Sequence, residues 1–286
     1  MCLLAATFPR LDAQAAPPAS SSNGSDTTII LATTNDNSSV DLTPRDIEVK
    51  EDGKAATVKD VRKLGRGPLE YCILFDTSGS GRDQFRLQQA EAQAFLNEAL
   101  KAEVDRGRLY LFSDEARETA ENANPRDFAP MIASSEPRNA TALYDAIATC
   151  ARRMLRNSPS TGFRIMFVFS DGEDNESHIP RTVAMEWALK AGIRIYSFNP
   201  TRDGSKRGRV ALEDLARSTG GEAYSVRSEN EMTSALSKLK AALENQFAVS
   251  YTPAASARNG LLDLSVKCRK KGVSISAPDK CYRPAQ

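Results

Sequence analysis

The chain has little with which to build a transition-metal site. His178 is the single histidine in 286 residues, and the cysteines (Cys2, Cys72, Cys150, Cys268 and Cys281) include no Cys-x-x-Cys pair. Structural zinc of the usual Cys/His spacing is therefore not expected. Charge of one sign is also missing: Lys plus Arg number 38 and Asp plus Glu 37. No net field draws the chain to nucleic acid or to an anionic membrane. Nor does any apolar run reach the length of a membrane-spanning helix, so a soluble chain is expected. A Walker lysine loop is absent. Gly79-x-Gly81 superficially suggests a dinucleotide loop, but the third position of that fingerprint is Gln84. An aspartyl phosphotransferase would want a second acid where Ser78 stands.

The hydrophobic fraction of 41% and charged fraction of 26% are those of a globular protein. The length allows one sizeable α/β core and a small second module. Residues 2–6 are apolar, Ala13-Gln14-Ala15 fits a small-x-small cleavage pattern, and residues 17–25 are rich in Pro and Ser. Residues 1–25 thus read as a shortened export signal, which points to a periplasmic, secreted or cell-surface chain. A disordered tail on a cytoplasmic chain is the other reading of the same residues.

Residues 26–66 read as a β segment: a strand at 27–32, then Ile47-Glu48-Val49-Lys50, a turn at Asp52-Gly53, and a return through Val58, Val61 and Leu64. Residues 69–75 and 163–169 are nearly unbroken apolar runs, as in strands buried on both faces of a parallel sheet. Further strands are expected at 108–112, 193–198 and 222–226. Helices are expected at 85–104, 141–156, 181–191, 210–218 and 229–245. This alternation over 67–246 predicts a doubly wound, mostly parallel α/β sheet with helices on both faces. Residues 247–286 return to short strands, at 247–251, 262–266 and 273–275, which the simplest assembly packs with the N-terminal ones as one β module. Cys72 and Cys150 read as small buried hydrophobes, and a Cys268–Cys281 disulfide stays open as a possibility in an oxidising compartment.

Asp76-Thr77-Ser78-Gly79-Ser80 follows the first buried strand, Asp171-Gly172 the second, and Thr141 opens a helix between them. Open α/β folds bind ligands at that carboxyl edge. Two carboxylates and three hydroxyls are hard oxygen donors, suited to Mg²⁺, Mn²⁺ or Ca²⁺. Taken singly, the serines and threonine read as helix caps and Asp171-Gly172 as a turn. Three segments in the right order after the right elements favour the metal reading. Glu173 and Asp174 read as loop charge, His178 as a loop residue and Trp187 as packing.

The Asp-x-Ser-x-Ser, threonine and Ser-Asp-Gly segments resemble the metal-ion-dependent adhesion site of the von Willebrand factor type A family, over residues 68–246. The resemblance implies about six strands and six helices, a site on Asp76, Ser78, Ser80, Thr141 and Asp171, and no catalysis. It further implies a partner protein that presents an acidic side chain to the metal. Residues 46–53 and Tyr251-Thr252-Pro253 resemble the flanks of bacterial exported proteins of this kind. Relatives often carry glycines before the threonine, where this chain has Arg138-Asn139-Ala140. A metal-stabilised scaffold is the rival reading, and an enzyme the weaker one.

Overall fold

The computed structural model describes residues 28–34, 40–78, 82–138, 140–156, 163–200, 205–253 and 259–284. The chain opens with strands β1 (Thr28–Thr34), β2 (Ile47–Glu51), β3 (Lys54–Ala55) and β4 (Thr57–Lys63). Next come β5 (Leu69–Asp76), α1 (Arg82–Glu98), β6 (Arg106–Phe112), β7 (Ala116–Ala123) and α2 (Pro125–Ala133). Helix α3 (Leu143–Arg156), β8 (Phe163–Phe169), α4 (Arg181–Lys190) and β9 (Arg194–Asn199) follow. Then come α5 (Lys206–Thr219), β10 (Ala223–Ser225) and α6 (Glu229–Glu244). Four strands close the chain: β11 (Gln246–Thr252), β12 (Gly260–Cys268), β13 (Ile275–Ser276) and β14 (Lys280–Arg283).

The middle of the chain is a six-stranded sheet of order β10-β9-β8-β5-β6-β7, parallel except for β7. Its central strands have apolar residues on both faces because both faces are covered. On one side Tyr71, Ile73 and Phe75 of β5 meet Phe163, Ile165, Phe167 and Phe169 of β8 under α1 and α6. On the other, Cys72, Leu74, Met166 and Val168 pack beneath α3 and α4. Phe95 of α1 lies 4.5 Å from the Phe167 ring and 5.5 Å from that of Phe169. Burying such a ring contributes roughly 1.5–3 kcal/mol. This is a doubly wound sheet with helices on both faces. The order of strands reverses between β5 and β8, and open sheets gather ligands at such a switch point.

The elements differ in detail from the sequence expectation. Strand β7 and helix α2 were not expected. The β7 sequence is polar because it is an edge strand with one face toward solvent, and α2 is short with Pro130 inside it. Helix α1 stops at Glu98 rather than running on, since the buried Asp105 carboxylate accepts from the backbone amides of Lys101 and Leu69 and pairs with Arg66. Helix α5 starts earlier than expected, at Lys206, and ends where Gly220 adopts φ 81°.

The outer strands form two four-stranded sheets, β13-β1-β11-β4 and β14-β12-β2-β3, facing each other. Ile30, Ala32, Val49, Phe247, Val249, Tyr251 and Leu264 fill the space between them. Strands from both ends interleave: β1 runs antiparallel to β11, and β2 to β12. Asp52 (φ 45°) and Gly53 (φ 77°) turn the β2–β3 hairpin. Strand β14 was not expected. This sandwich lies where the parallel strands begin, because β4 leads into β5 and α6 into β11. It is fastened there by the Arg217–Asp279 ion pair (3.3 Å) and by Lys190 over the Tyr282 ring (4.5 Å).

The cysteines need a correction. Cys72 of β5 and Cys150 of α3, expected as separate small hydrophobes, are joined as a disulfide with Cα atoms 6.8 Å apart. Cys268 and Cys281 are free thiols. Cys281 pairs with Leu262 and Cys268 with Ile47, six residues further along β12, which separates them by roughly 20 Å at strand rise. A bridge between them is excluded. Among the described residues, no helix is long and apolar enough to cross a membrane.

Candidate functional site

Asp76 closes β5, the central strand, and its carboxylate is buried. Oδ1 accepts from the Ser78 amide (2.8 Å) and hydroxyl (2.5 Å). Oδ2 accepts from the Ser170 hydroxyl at 2.6 Å, one residue beyond the end of β8. Gln88 of α1 ties the two strand ends together, donating to the carbonyls of Asp76 (2.8 Å) and Phe169 (3.2 Å). The neighbouring strands thus present Asp76 and Asp171 at one edge.

Thr141 precedes α3, and its hydroxyl donates to Ser78 Oγ at 2.6 Å. The altered segment before it is held from elsewhere. The Thr141 amide donates to Asn175 Oδ1 (2.8 Å), and its carbonyl accepts from the amides of Asn175 and Glu176, both at 3.0 Å. Arg138 donates its amide to the Thr77 carbonyl and Ala142 to the Ser113 carbonyl, each at 2.5 Å. The loop after β8 therefore does the positioning that glycines allow elsewhere. Asn139 lies outside the described residues, as does Ser80, the third hydroxyl expected at the site.

The Asp171 loop is set by close packing. Gly172 has φ 82°, and a Cβ there would stand 2.3 Å from the Gly208 carbonyl oxygen of α5. Only glycine fits, so the Asp171 backbone is pressed against α5. Its Oδ1 accepts from the Glu173 amide at 3.0 Å, and its carbonyl from Asn199 Nδ2 at 3.3 Å. Asp174 turns away from the site to accept from the Ser177 hydroxyl (2.5 Å) and the Tyr144 amide (3.3 Å) at the start of α3. His178 is exposed, with Nδ1 2.8 Å from Asp145 Oδ2.

Burial pushes the Asp76 carboxyl up to about 7; hydrogen bonds from Ser170 and Ser78 oppose this, and the nearby Asp171 charge adds to it. Burial likewise raises Asp171 above the usual carboxylate range, with the Glu173 charge adding to the effect. Neither acid forms an ion pair with Lys, Arg or His among the described residues. A buried carboxylate beside a half-buried one, without a counter-charge, is costly, and a divalent cation would supply one. No group of three or more His, Cys, Asp and Glu side chains occurs in a metal-binding arrangement among the described residues. A cation at this edge would rest on two carboxylates and hydroxyls. That donor set fits a hard ion.

Sequence reasoning missed Gln88, Ser170 and Asn175. Ser170 was visible in the Ser-Asp-Gly segment; Gln88 and Asn175 carry no local signal, since each acts on a carbonyl or amide distant in sequence. Beside Thr77, a cleft of about 460 Å³ lined by Ser113, Arg117, Ser135 and Arg138 adjoins the site.

No family model and no curated protein matches the sequence. Solved structures do match. The von Willebrand factor type A protein from Catenulispora acidiphila aligns over 96% of this chain and 76% of its own, with a TM-score of 0.51 at 10% identity. Proximal thread matrix protein 1 from the mussel byssus aligns over 73% of this chain, with a TM-score of 0.50 at 15% identity. This chain spans 50% of that protein's length. Another structure of the mussel protein, with a zinc-occupied MIDAS motif, aligns over 63% of this chain and 49% of its own, with a TM-score of 0.46 at 16% identity. The fold of the central sheet is that of a von Willebrand factor type A domain.

Proposed function

We propose that the chain is a non-catalytic, divalent-metal-dependent protein-binding module. Asp76, Ser78, Ser80, Thr141 and Asp171 hold Mg²⁺, or Mn²⁺ or Ca²⁺ in its stead, and an open coordination position takes a carboxylate from an acidic partner protein. The observation that carries this reading is the buried Asp76 carboxylate with the half-buried Asp171 beside it at the switch point, neither facing a counter-charge among the described residues, and with the Ser78 and Thr141 hydroxyls hydrogen-bonded beside them. Two negative charges neutralise one divalent ion, which leaves no excess charge to repel an acidic ligand.

The polar cleft beside Thr77, with Arg117 and Arg138 in its walls, would receive residues flanking that carboxylate. A binding role is favoured over a hydrolytic one because the single histidine, exposed beside Asp145, has no hydroxyl or thiol nucleophile hydrogen-bonded to its ring among the described residues. Export is supported by the Cys72–Cys150 disulfide, since such bonds persist in oxidising compartments.

The test is affinity capture of partners with and without Mg²⁺, comparing the wild type with Asp76→Ala. Metal-dependent capture lost in a folded Asp76→Ala supports the reading, and capture that survives chelation overturns it. A second reading, a metal-stabilised scaffold, draws on the fastening of the β-sandwich to α4 and α5. It gains if metal raises the melting temperature while capture is the same with and without metal.

A further inference from the structure

Two adjacent glutamines of α1 bond in different directions. Gln88 is 6% exposed, and its Nε2 donates to the carbonyls of Asp76 (2.8 Å) and Phe169 (3.2 Å). The ladder between β5 and β8 ends at the pair Phe75 and Phe169, so Gln88 bonds where the ladder stops. A side-chain amide has two N–H donors, and here each serves one of the two strands that lead to the candidate ligands. Asp76 is itself one of those ligands, and Asp171 lies two residues beyond Phe169. One side chain therefore spans the gap between the two strand ends.

Gln89 reaches α2 instead. Its Nε2 donates to the carbonyls of Ile132 (2.8 Å), Ala133 (3.3 Å) and Ser135 (3.3 Å), where a helix end leaves carbonyls open to such a donor. From there residues 134–138 form one wall of the cleft beside Thr77. That wall returns to the site, because the Arg138 amide donates to the Thr77 carbonyl at 2.5 Å. Thr77 follows Asp76 directly. A closed ring of contacts thus runs from Asp76 through Gln88, Gln89, the end of α2 and Arg138 to Thr77. Gln93 of α1 makes the same kind of bond, to the Ala129 carbonyl at 2.7 Å, but lies outside this ring.

We infer that Gln88 and Gln89 are positioning residues of the metal edge. Gln88 sets the separation of Asp76 from Asp171, and Gln89 holds α1 where Gln88 can do so. Neither belongs to the proposed donor set. The inference rests on the metal reading of the Asp76 edge and goes beyond it, because it makes the end of α2 and the cleft wall part of what determines metal affinity.

The test is isothermal titration of the full chain with Mg²⁺ alone, beside urea denaturation of each variant. Leucine is close to glutamine in bulk and has no donor. Gln88→Leu should weaken Mg²⁺ binding by about 10–100-fold, and Gln89→Leu by roughly 3–30-fold. Gln93→Leu removes the same bond between the same two helices outside the ring, and should keep the affinity within about twofold. The double variant Gln88→Leu, Gln89→Leu should lose less than the product of the two single losses, since one residue acts through the other. Wild-type affinity in Gln89→Leu overturns the inference, as does an equal loss in Gln93→Leu, which a merely structural tie would give. A double variant that loses the full product overturns it too. Should Gln88→Leu fail to fold, the comparison of Gln89→Leu with Gln93→Leu decides alone. No Mg²⁺ binding by the wild type is a separate outcome: it overturns the metal reading, and this inference falls with it.

Discussion

The Thr141 hydroxyl donates a 2.6 Å hydrogen bond to Ser78 Oγ, joining two loops that lie 63 residues apart in sequence. Ser78 in turn donates to Asp76, so one chain of hydroxyls runs from the loop before α3 to the end of β5. Removing the Thr141 hydroxyl tests whether that chain is part of a metal site. Thr141→Ala should leave the fold intact and weaken Mg²⁺ affinity by at least the roughly 10–100-fold that loss of a group merely supporting the ligands would cost. Asp76→Ala should abolish Mg²⁺ binding. Isothermal titration of both variants measures this, and wild-type affinity in Asp76→Ala would remove that edge as the site.

Gly172 separates Asp171 from Glu173 at φ 82°, against the Gly208 carbonyl. Gly172→Ala combines backbone strain with overpacking and is expected to destabilise the fold by about 1–3 kcal/mol. Metal affinity should fall with it, because Asp171 is displaced. Urea denaturation of the variant beside the wild type reads the first effect. A variant as stable as the wild type would show that the loop has room that the packing denies it.

Glu91 on α1 is 3% exposed, and neither carboxylate oxygen has a hydrogen-bond partner. Burial, with the Glu231 charge adding to it, pushes its carboxyl up to about 8. In the unfolded chain it titrates near the ordinary glutamate value of about 4.3. Between these values the folded state holds a proton that the unfolded state has released, so this group makes stability fall as pH rises from about 4.3 to about 8, and flat beyond. Glu91→Gln should therefore be more stable than the wild type at pH 9 and nearly equal to it at pH 4. Denaturation curves at both pH values decide this, and a constant difference between the two proteins would contradict it.

Cys72 and Cys150 close a loop of 78 residues between the central strand and α3. A cross-link of that span contributes about 4 kcal/mol in the chain-entropy account. Thiol labelling of the denatured, unreduced chain, with the labelled sites mapped, should find Cys268 and Cys281 reactive and Cys72 and Cys150 blocked. Reduction should lower the melting temperature of the wild type and leave a Cys72→Ala, Cys150→Ala double variant unmoved. Labelling of Cys72 and Cys150 would rule the bond out in the protein tested.

Much of this was legible in the sequence because hydrophobic pattern is local. The unbroken runs ending at Phe75 and Phe169 identified strands covered on both faces, and polar residues directly after them marked the carboxyl edge of the sheet. Asp76, Ser78 and Asp171 were picked out as candidates that way. What was missed had no local pattern to show. The polar β7 looks like a loop until β6 is beside it. Gln88 resembles any glutamine on a helix until two strand ends lie within its reach. Asn175 reads as loop polarity, and only the folded loop brings it to the Thr141 amide.

The sequence by itself determined the alternation of strands and helices, the doubly wound class and the hard-oxygen character of the donors, because these depend on residue chemistry and on spacings of a few positions. The tertiary structure alone decided the neighbours. It set β5 against β8 at the switch point, joined Cys72 to Cys150 rather than Cys268 to Cys281, and interleaved the two ends of the chain. Those outcomes depend on which surfaces meet across tens to hundreds of residues. Packing of the whole chain selects such contacts, and no short stretch of it encodes them.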